Sequence, residues 1–187
     1  MESFEALHAL GHTLGFSHVA PLAPATMAPT QEVRQMCEAN SCGQYGKRWS
    51  CPPGCGTLED CRRQIAARSQ GILVQTVGTL EDEFDMDGML AVEARHKAQF
   101  LQMLEALRAQ FRDVLGLGAG CCMRCAVCTY PDAPCRFPQQ RIASLEAYGI
   151  LVSQLCRDNG LAYYYGRCSI AYTSCYLFNP KENPAEA

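Results

Sequence analysis

Apolar positions along the chain change period several times, and each change marks an element. Residues 2–14 alternate at helical spacing and predict a short amphipathic helix, followed by a Pro- and Ala-rich loop from Pro21 to Pro29. Thr30 is placed to cap a helix running through Met36, which delivers Cys37. From Cys42 to Gly56 the chain has loop character, with Gly43, Gly46, Pro52, Pro53, Gly54 and Gly56. Thr57 and Asp60 form a capping-box start to a helix that stops near Gly71. Residues 72–77, Ile-Leu-Val-Gln-Thr-Val, read as a buried strand.

Asp85 or Asp87 opens the longest helix. Phe100, Met103, Leu104, Leu107, Phe111, Val114 and Leu115 keep its period, and Gly116 ends it. Leu117 to Gly120 predicts a short strand. Ser144 caps a helix that turns Leu145, Tyr148, Val152 and Leu155 inward and ends at Gly160. Residues 161–165 and 169–178 predict two strands joined as a hairpin through Gly166-Arg167. The polar tail 179–187 is expected to fray. This order implies an α/β (α+β) fold: a mixed sheet flanked by helices, with two cysteine-bearing metal loops. A length of 187 residues suits a single domain, 1–187, in which 1–29 is a helical leader and loop.

The formal charge of -3 and the scattered Lys and Arg exclude a nucleic-acid stripe or a polybasic membrane anchor. No apolar run approaches the roughly 20 residues of a spanning helix. Glu2 and Glu5 stand where a signal peptide would be basic, so a cytoplasmic location is expected. Thirteen cysteines then change the picture. In a reducing compartment they point to metal ligation or redox chemistry rather than disulfides, and an odd count cannot pair fully. They cluster in 37–61 and 121–135, as ligation of a shared centre requires.

The run Cys122-x2-Cys125-x2-Cys128-x6-Cys135 is the strongest signal. Three cysteines at consecutive x2 gaps can each reach a different iron of a cubane, with a fourth closing from further along, as in the opening of bacterial ferredoxin runs. Structural zinc is the alternative, but its knuckles are two separated C-x2-C pairs. Cys121, Cys125 and Cys128 also spell C-x3-C-x2-C, yet too little chain follows to build a radical-enzyme barrel. The first cluster contains Cys37, Cys42 and Cys51, read as ligands, with Cys55 and Cys61 less regular. Its glycines let backbone approach a metal, and Trp49 beside Cys51 can exclude water. Cys156, Cys168 and Cys175 read as buried small hydrophobes. His8 and His12 have metal-ligand spacing but no third partner nearby, and Arg136 and Arg141 could offset an anionic cluster.

The segments CEANSCGQYGKRWSCPPGCG, GAGCCMRCAVCTYPDAPCRFP and SLEAYGILV resemble the family of predicted metal-binding proteins known as domain of unknown function 2284. The resemblance covers most of the chain from Cys37 onward. It implies metal binding, of iron–sulfur type, in small cytoplasmic proteins of mainly anaerobic prokaryotes, with no established reaction. The positions matching its pattern are Cys37, Cys42, Cys51, Cys122, Cys125, Cys128 and Cys135, which leaves the first site with three matched ligands. Cys55, a non-cysteine group or substrate could supply the fourth. Three functions are open: a redox module with one or two [4Fe-4S] clusters serving a partner protein or an anaerobic metabolic enzyme; an enzyme using an incompletely ligated iron as a Lewis acid; or a zinc-stabilised interaction protein.

Overall fold

The structure, a computed structural model, describes residues 4–181. Five strands, β1 (His18–Pro21), β2 (Gln70–Thr79), β3 (Arg112–Gly118), β4 (Ala143–Ser144) and β5 (Ser169–Asn179), form one sheet in the order β1-β2-β5-β3-β4. The pairings are antiparallel except β3 with β4, which is parallel, so the sheet is mixed. Five α-helices accompany it: α1 (Phe4–Thr13), α2 (Gln31–Glu38), α3 (Leu58–Ala66), α4 (Met86–Gln110) and α5 (Val152–Asp158). The α+β reading therefore holds.

The strands are apolar on both sides because both faces are covered. On one face Ile72, Val74, Tyr176 and Phe178 pack against Phe100, Met103, Leu104 and Leu107 of α4. On the other, the alternate residues Leu73, Cys175 and Leu177 meet Cys61 and Ile65 of α3 and Leu155 and Cys156 of α5. This is the period-2 rule applied twice to the same strands. Each large side chain buried in this way contributes about 1.5–3 kcal/mol. Gly116 marks the closest approach of α4 to β3: a Cβ there would lie 2.8 Å from the Phe100 ring.

Local chemistry set several boundaries as the sequence implies. Thr30 Oγ1 accepts from the Val33 N–H at 3.4 Å, and α2 runs on to Glu38. Thr57 and Asp60 form a reciprocal capping box, worth about 1 kcal/mol. Asp85 caps α4 through the Gly88 N–H at 2.8 Å.

Elsewhere tertiary pairing overrode the pattern. α4 stops at Gln110 rather than Gly116, and Val114 and Leu115 lie in β3, where Leu115 pairs with Leu177 of β5 just after a register irregularity. The helix expected over 144–160 is instead a strand end, a 3-10 turn (Glu146–Tyr148) and the short α5. Gly149, at φ 78°, breaks the helical path. Residues 161–165 form no strand, so the hairpin is absent, and β5 instead makes a ten-pair ladder with β2. β1 lies inside the expected leader, paired to β2. Asn179 is the end of β5 rather than frayed chain: its side chain accepts from the Ser69 N–H at 2.9 Å. Residues 182–187 of the expected tail, and residues 1–3, lie outside the described residues.

Candidate metal centre

Two loops carry the clustered cysteines. Loop A, residues 39–56, joins α2 to α3; loop B, residues 119–142, joins β3 to β4. Parallel strands cannot be joined by a tight turn and need a long crossover, usually helical. Here loop B is that crossover, so the β3–β4 pairing itself sets where the cysteine run enters and leaves.

The loops are fastened together at residues 48–50. Arg48 Nη1 donates to the Cys122 carbonyl at 3.1 Å, and the Cys122 N–H donates to Ser50 Oγ at 3.1 Å. The Trp49 N–H donates to Cys128 Sγ at 3.5 Å, and Trp49 Nε1 donates to the Ala133 carbonyl at 3.0 Å. The indole meets Tyr130 edge-on, with centroids 4.9 Å apart. Gly54 has to be glycine beneath them, because a Cβ would come within 2.7 Å of the Arg48 carbonyl and 2.9 Å of the Tyr130 ring.

Cys122, Cys125, Cys128 and Cys135 all line one pocket, with Arg48, Trp49, Arg124, Phe137 and Arg141 around them. The pocket is shallow, with a volume of about 20 Å³. Burial raises the Cys128 thiol, but N–H groups of Trp49, Tyr130 and Thr129 and the Arg48 charge outweigh it. The net effect holds Cys128 below the ordinary thiol range. Arg136 Nη1 donates to the Val127 carbonyl at 2.9 Å and so shapes loop B, while Arg141 stands at the pocket.

Loop A is built differently. Cys51 and Cys55 are buried, Cys37 is half-buried and Cys42 exposed. Burial chiefly, then the Glu146 carboxylate and the nearby Cys42 and Cys55, push Cys37 up against the pull of Arg34. Burial pushes Cys51 up to about 11, opposed by a Ser50 hydrogen bond and reinforced by Cys121, Cys55 and Cys42. Thus Cys37 lies within electrostatic reach of Cys42 and Cys55, and Cys51 within reach of Cys42, Cys55 and loop B's Cys121. The 3-10 turn after β4 abuts this group: Cys37 Sγ donates to the Glu146 carbonyl at 3.8 Å and Cys55 Sγ to the Ala147 carbonyl at 3.5 Å. Cys61, fully buried, lies within electrostatic reach of Cys55 and against Arg34.

Arg34 is the group that sequence reasoning missed. It is 7% exposed, and its Nε is buried without a partner. Nη1 donates to the Gly56 carbonyl at 2.9 Å and Nη2 to Cys61 Sγ at 3.5 Å. Among the described residues no carboxylate pairs with it. A buried cation requires a counter-charge, and the groups it acts on are Cys37, Cys55 and Cys61. Its place on α2, one turn before Cys37, was the available signal.

The donor set fits a thiolate-bound metal. All thirteen cysteines are free, so no disulfide competes. Among the described residues, no three His, Cys, Asp or Glu side chains converge closely enough to hold one metal ion. Tetrahedral zinc needs its four sulfurs about 3.8 Å apart, given Zn–S bonds of about 2.3 Å. A cubane takes each thiolate on a different iron, so the sulfurs ring a wider space. Cys156 and Cys175 are buried in the sheet core, and Cys168 adjoins β5, away from both loops. His8 and His12 face each other at 3.2 Å on the exposed side of α1.

A mixed sheet covered on both faces, with two cysteine loops laced together by Arg48, Trp49 and Ser50, defines a cysteine-rich α+β metal-binding protein. The chain belongs to the family described as predicted metal-binding protein, DUF2284, whose model matches residues 20–178. No curated protein and no solved structure matches it. No helix among the described residues is long and apolar enough to cross a membrane.

Proposed function

We propose that this chain is a cytoplasmic iron–sulfur redox protein, with a [4Fe-4S] cluster held by Cys122, Cys125, Cys128 and Cys135. The observation that carries this reading is that all four thiols of loop B line one pocket, together with Arg48 and Arg141. When bound, such a cluster supplies one-electron transfer. The chain's part is to hold the thiolates and adjust their charge. The Trp49 N–H on Cys128 and the guanidinium groups of Arg48 and Arg141 favour an anionic centre. Loop A would hold a second centre through Cys37, Cys42 and Cys51, with Cys55 as the fourth thiolate and Arg34 as the counter-cation. The partner is a redox protein: Met123 (62% exposed) and Val127 (74%) flank Cys125 and offer a small apolar contact, of the kind transient electron-transfer complexes use.

Anaerobic purification followed by iron, sulfide and zinc quantification tests the reading. Four irons and four sulfides for each loaded loop are expected from the cluster type, with an EPR signal on reduction. A colourless anaerobic protein holding stoichiometric zinc would overturn it and leave a zinc-stabilised scaffold.

A further inference from the structure

We propose that the cavity between α4 and the start of loop B binds a small monocarboxylate with a hydrocarbon body. The binding itself stands on this cavity alone, and only the presence of a cluster beside it rests on the function proposed above. The cavity measures about 410 Å³, within the range of small-molecule sites. Phe100, Leu104 and Ile142 supply apolar walls. Cys122 and Arg124 line both this cavity and the pocket of the four loop B thiols, so a molecule here would lie against the proposed cluster.

The charge around the cavity selects the ligand. Lys97, Arg108, Arg124 and Glu105 line it. Lys97 is already paired with Glu93. Among the described residues neither Arg108 nor Arg124 pairs with a carboxylate; Arg108 donates to the Gln139 carbonyl and Arg124 lies over the Phe137 ring. Two available guanidinium groups against one carboxylate leave a single positive charge, which suits a monoanion. Both arginines are exposed and stand at the mouth.

The floor is neutral. His96 and Ser174 are fully buried there. Thr76 Oγ1 donates to Gln99 Oε1 at 2.6 Å, so toward His96 it can only accept, and His96 Nδ1 carries the hydrogen at 2.8 Å. His96 Nε2 then accepts from the Ser174 hydroxyl at 2.7 Å. Burial pushes His96 down to about 4, which keeps it uncharged at neutral pH. A charged head therefore has no partner at the floor and belongs with Arg108 and Arg124, with its hydrocarbon body along the α4 wall. Inorganic anions would leave those walls uncovered.

The test is titration of anaerobically purified full-length protein with hexanoate, read by calorimetry and ligand-observed NMR. One saturable hexanoate site is expected, with hexan-1-ol and inorganic phosphate each about tenfold weaker or worse. Arg108→Gln should weaken hexanoate about tenfold, and Arg108→Lys should recover part of the loss, with unchanged circular dichroism in both. Absence of saturable binding would overturn the proposal, as would equal affinity in Arg108→Gln or hexan-1-ol binding as tightly as hexanoate. Metal and sulfide assays on the same samples separate the two readings. A zinc protein whose hexanoate site depends on Arg108 keeps this inference and ends the cluster reading. A cluster-bearing protein indifferent to hexanoate does the reverse.

Discussion

Loop B keeps its sulfurs half-exposed and turns backbone N–H groups on Cys128, whereas loop A sinks two of its thiols, Cys51 and Cys55, the latter within reach of a buried guanidinium. In loop B, hydrogen bonds from the Trp49, Tyr130 and Thr129 N–H groups favour the thiolate form of Cys128. In loop A, burial keeps Cys37, Cys51 and Cys55 protonated, and Arg34 waits without an anion. The same side-chain type is thus set in two environments: one shaped by local dipoles at the surface, the other by a fixed charge in the interior. Surface dipoles permit exchange with solvent and partners. A buried cation ties the site's charge to the stability of the fold.

The largest expected effect comes from removing a loop B sulfur. Cys125→Ala should abolish loop B iron and sulfide while leaving loop A content intact, as measured by iron and sulfide analysis of the purified variant beside the unsubstituted protein. Joint loss from both loops would break the comparison. A second experiment uses acid to separate the scaffold from the loops. His96 has its folded pKa depressed to about 4 from 6.5, so the neutral form favours the folded state. Its contribution is full above pH 6.5 and is lost as pH falls toward 4, about 3 kcal/mol in all. Urea unfolding of the metal-free protein across that window should show the loss, independently of any thiol.

Arg34→Met sharpens the contrast further. Without metal the substitution should be neutral or stabilising, because it removes an unpaired buried charge. In loaded protein it should weaken loop A retention about tenfold in a chelator competition and leave loop B unchanged. A smaller effect is expected at the seam. Trp49→Phe keeps the N–H to Cys128 but loses the Nε1 bond to Ala133, costing about 1–2 kcal/mol in thermal or urea unfolding. Smallest is a kinetic difference in the reduced, metal-free chain: iodoacetamide should label Cys128 before buried Cys51 and Cys55, read by peptide mass spectrometry.

Much of the frame was legible because it is local. Thr30, Thr57 with Asp60, and Asp85 announced three helix starts through side-chain oxygens near orphan N–H groups. The cysteine spacing marked loop B, whose four thiols share a pocket, although their role as ligands remains our proposal. What escaped depended on distant partners. Val114 and Leu115 continue the apolar period of α4, yet β5 claims them as strand. Tyr148 and Val152 fit one helical stripe, yet Gly149 packs against Thr30 and Leu58 in a left-handed turn between them. Arg34 reads as an ordinary polar residue of an amphipathic helix until the fold buries it among thiols.

The stretch Ala143–Tyr148 gives the architecture a further property. Its first two residues pair with Leu117 and Gly118, the last residues before loop B departs. A few residues on, its carbonyls at Glu146 and Ala147 rest on the thiols of Cys37, at the end of α2, and Cys55 of loop A. One short backbone brace therefore moors the exit of one loop and roofs the sulfurs of the other. The same six residues thus fix the exit of loop B and the ceiling over Cys37 and Cys55, so the spacing of the two sulfur groups is set by main chain rather than by side chains.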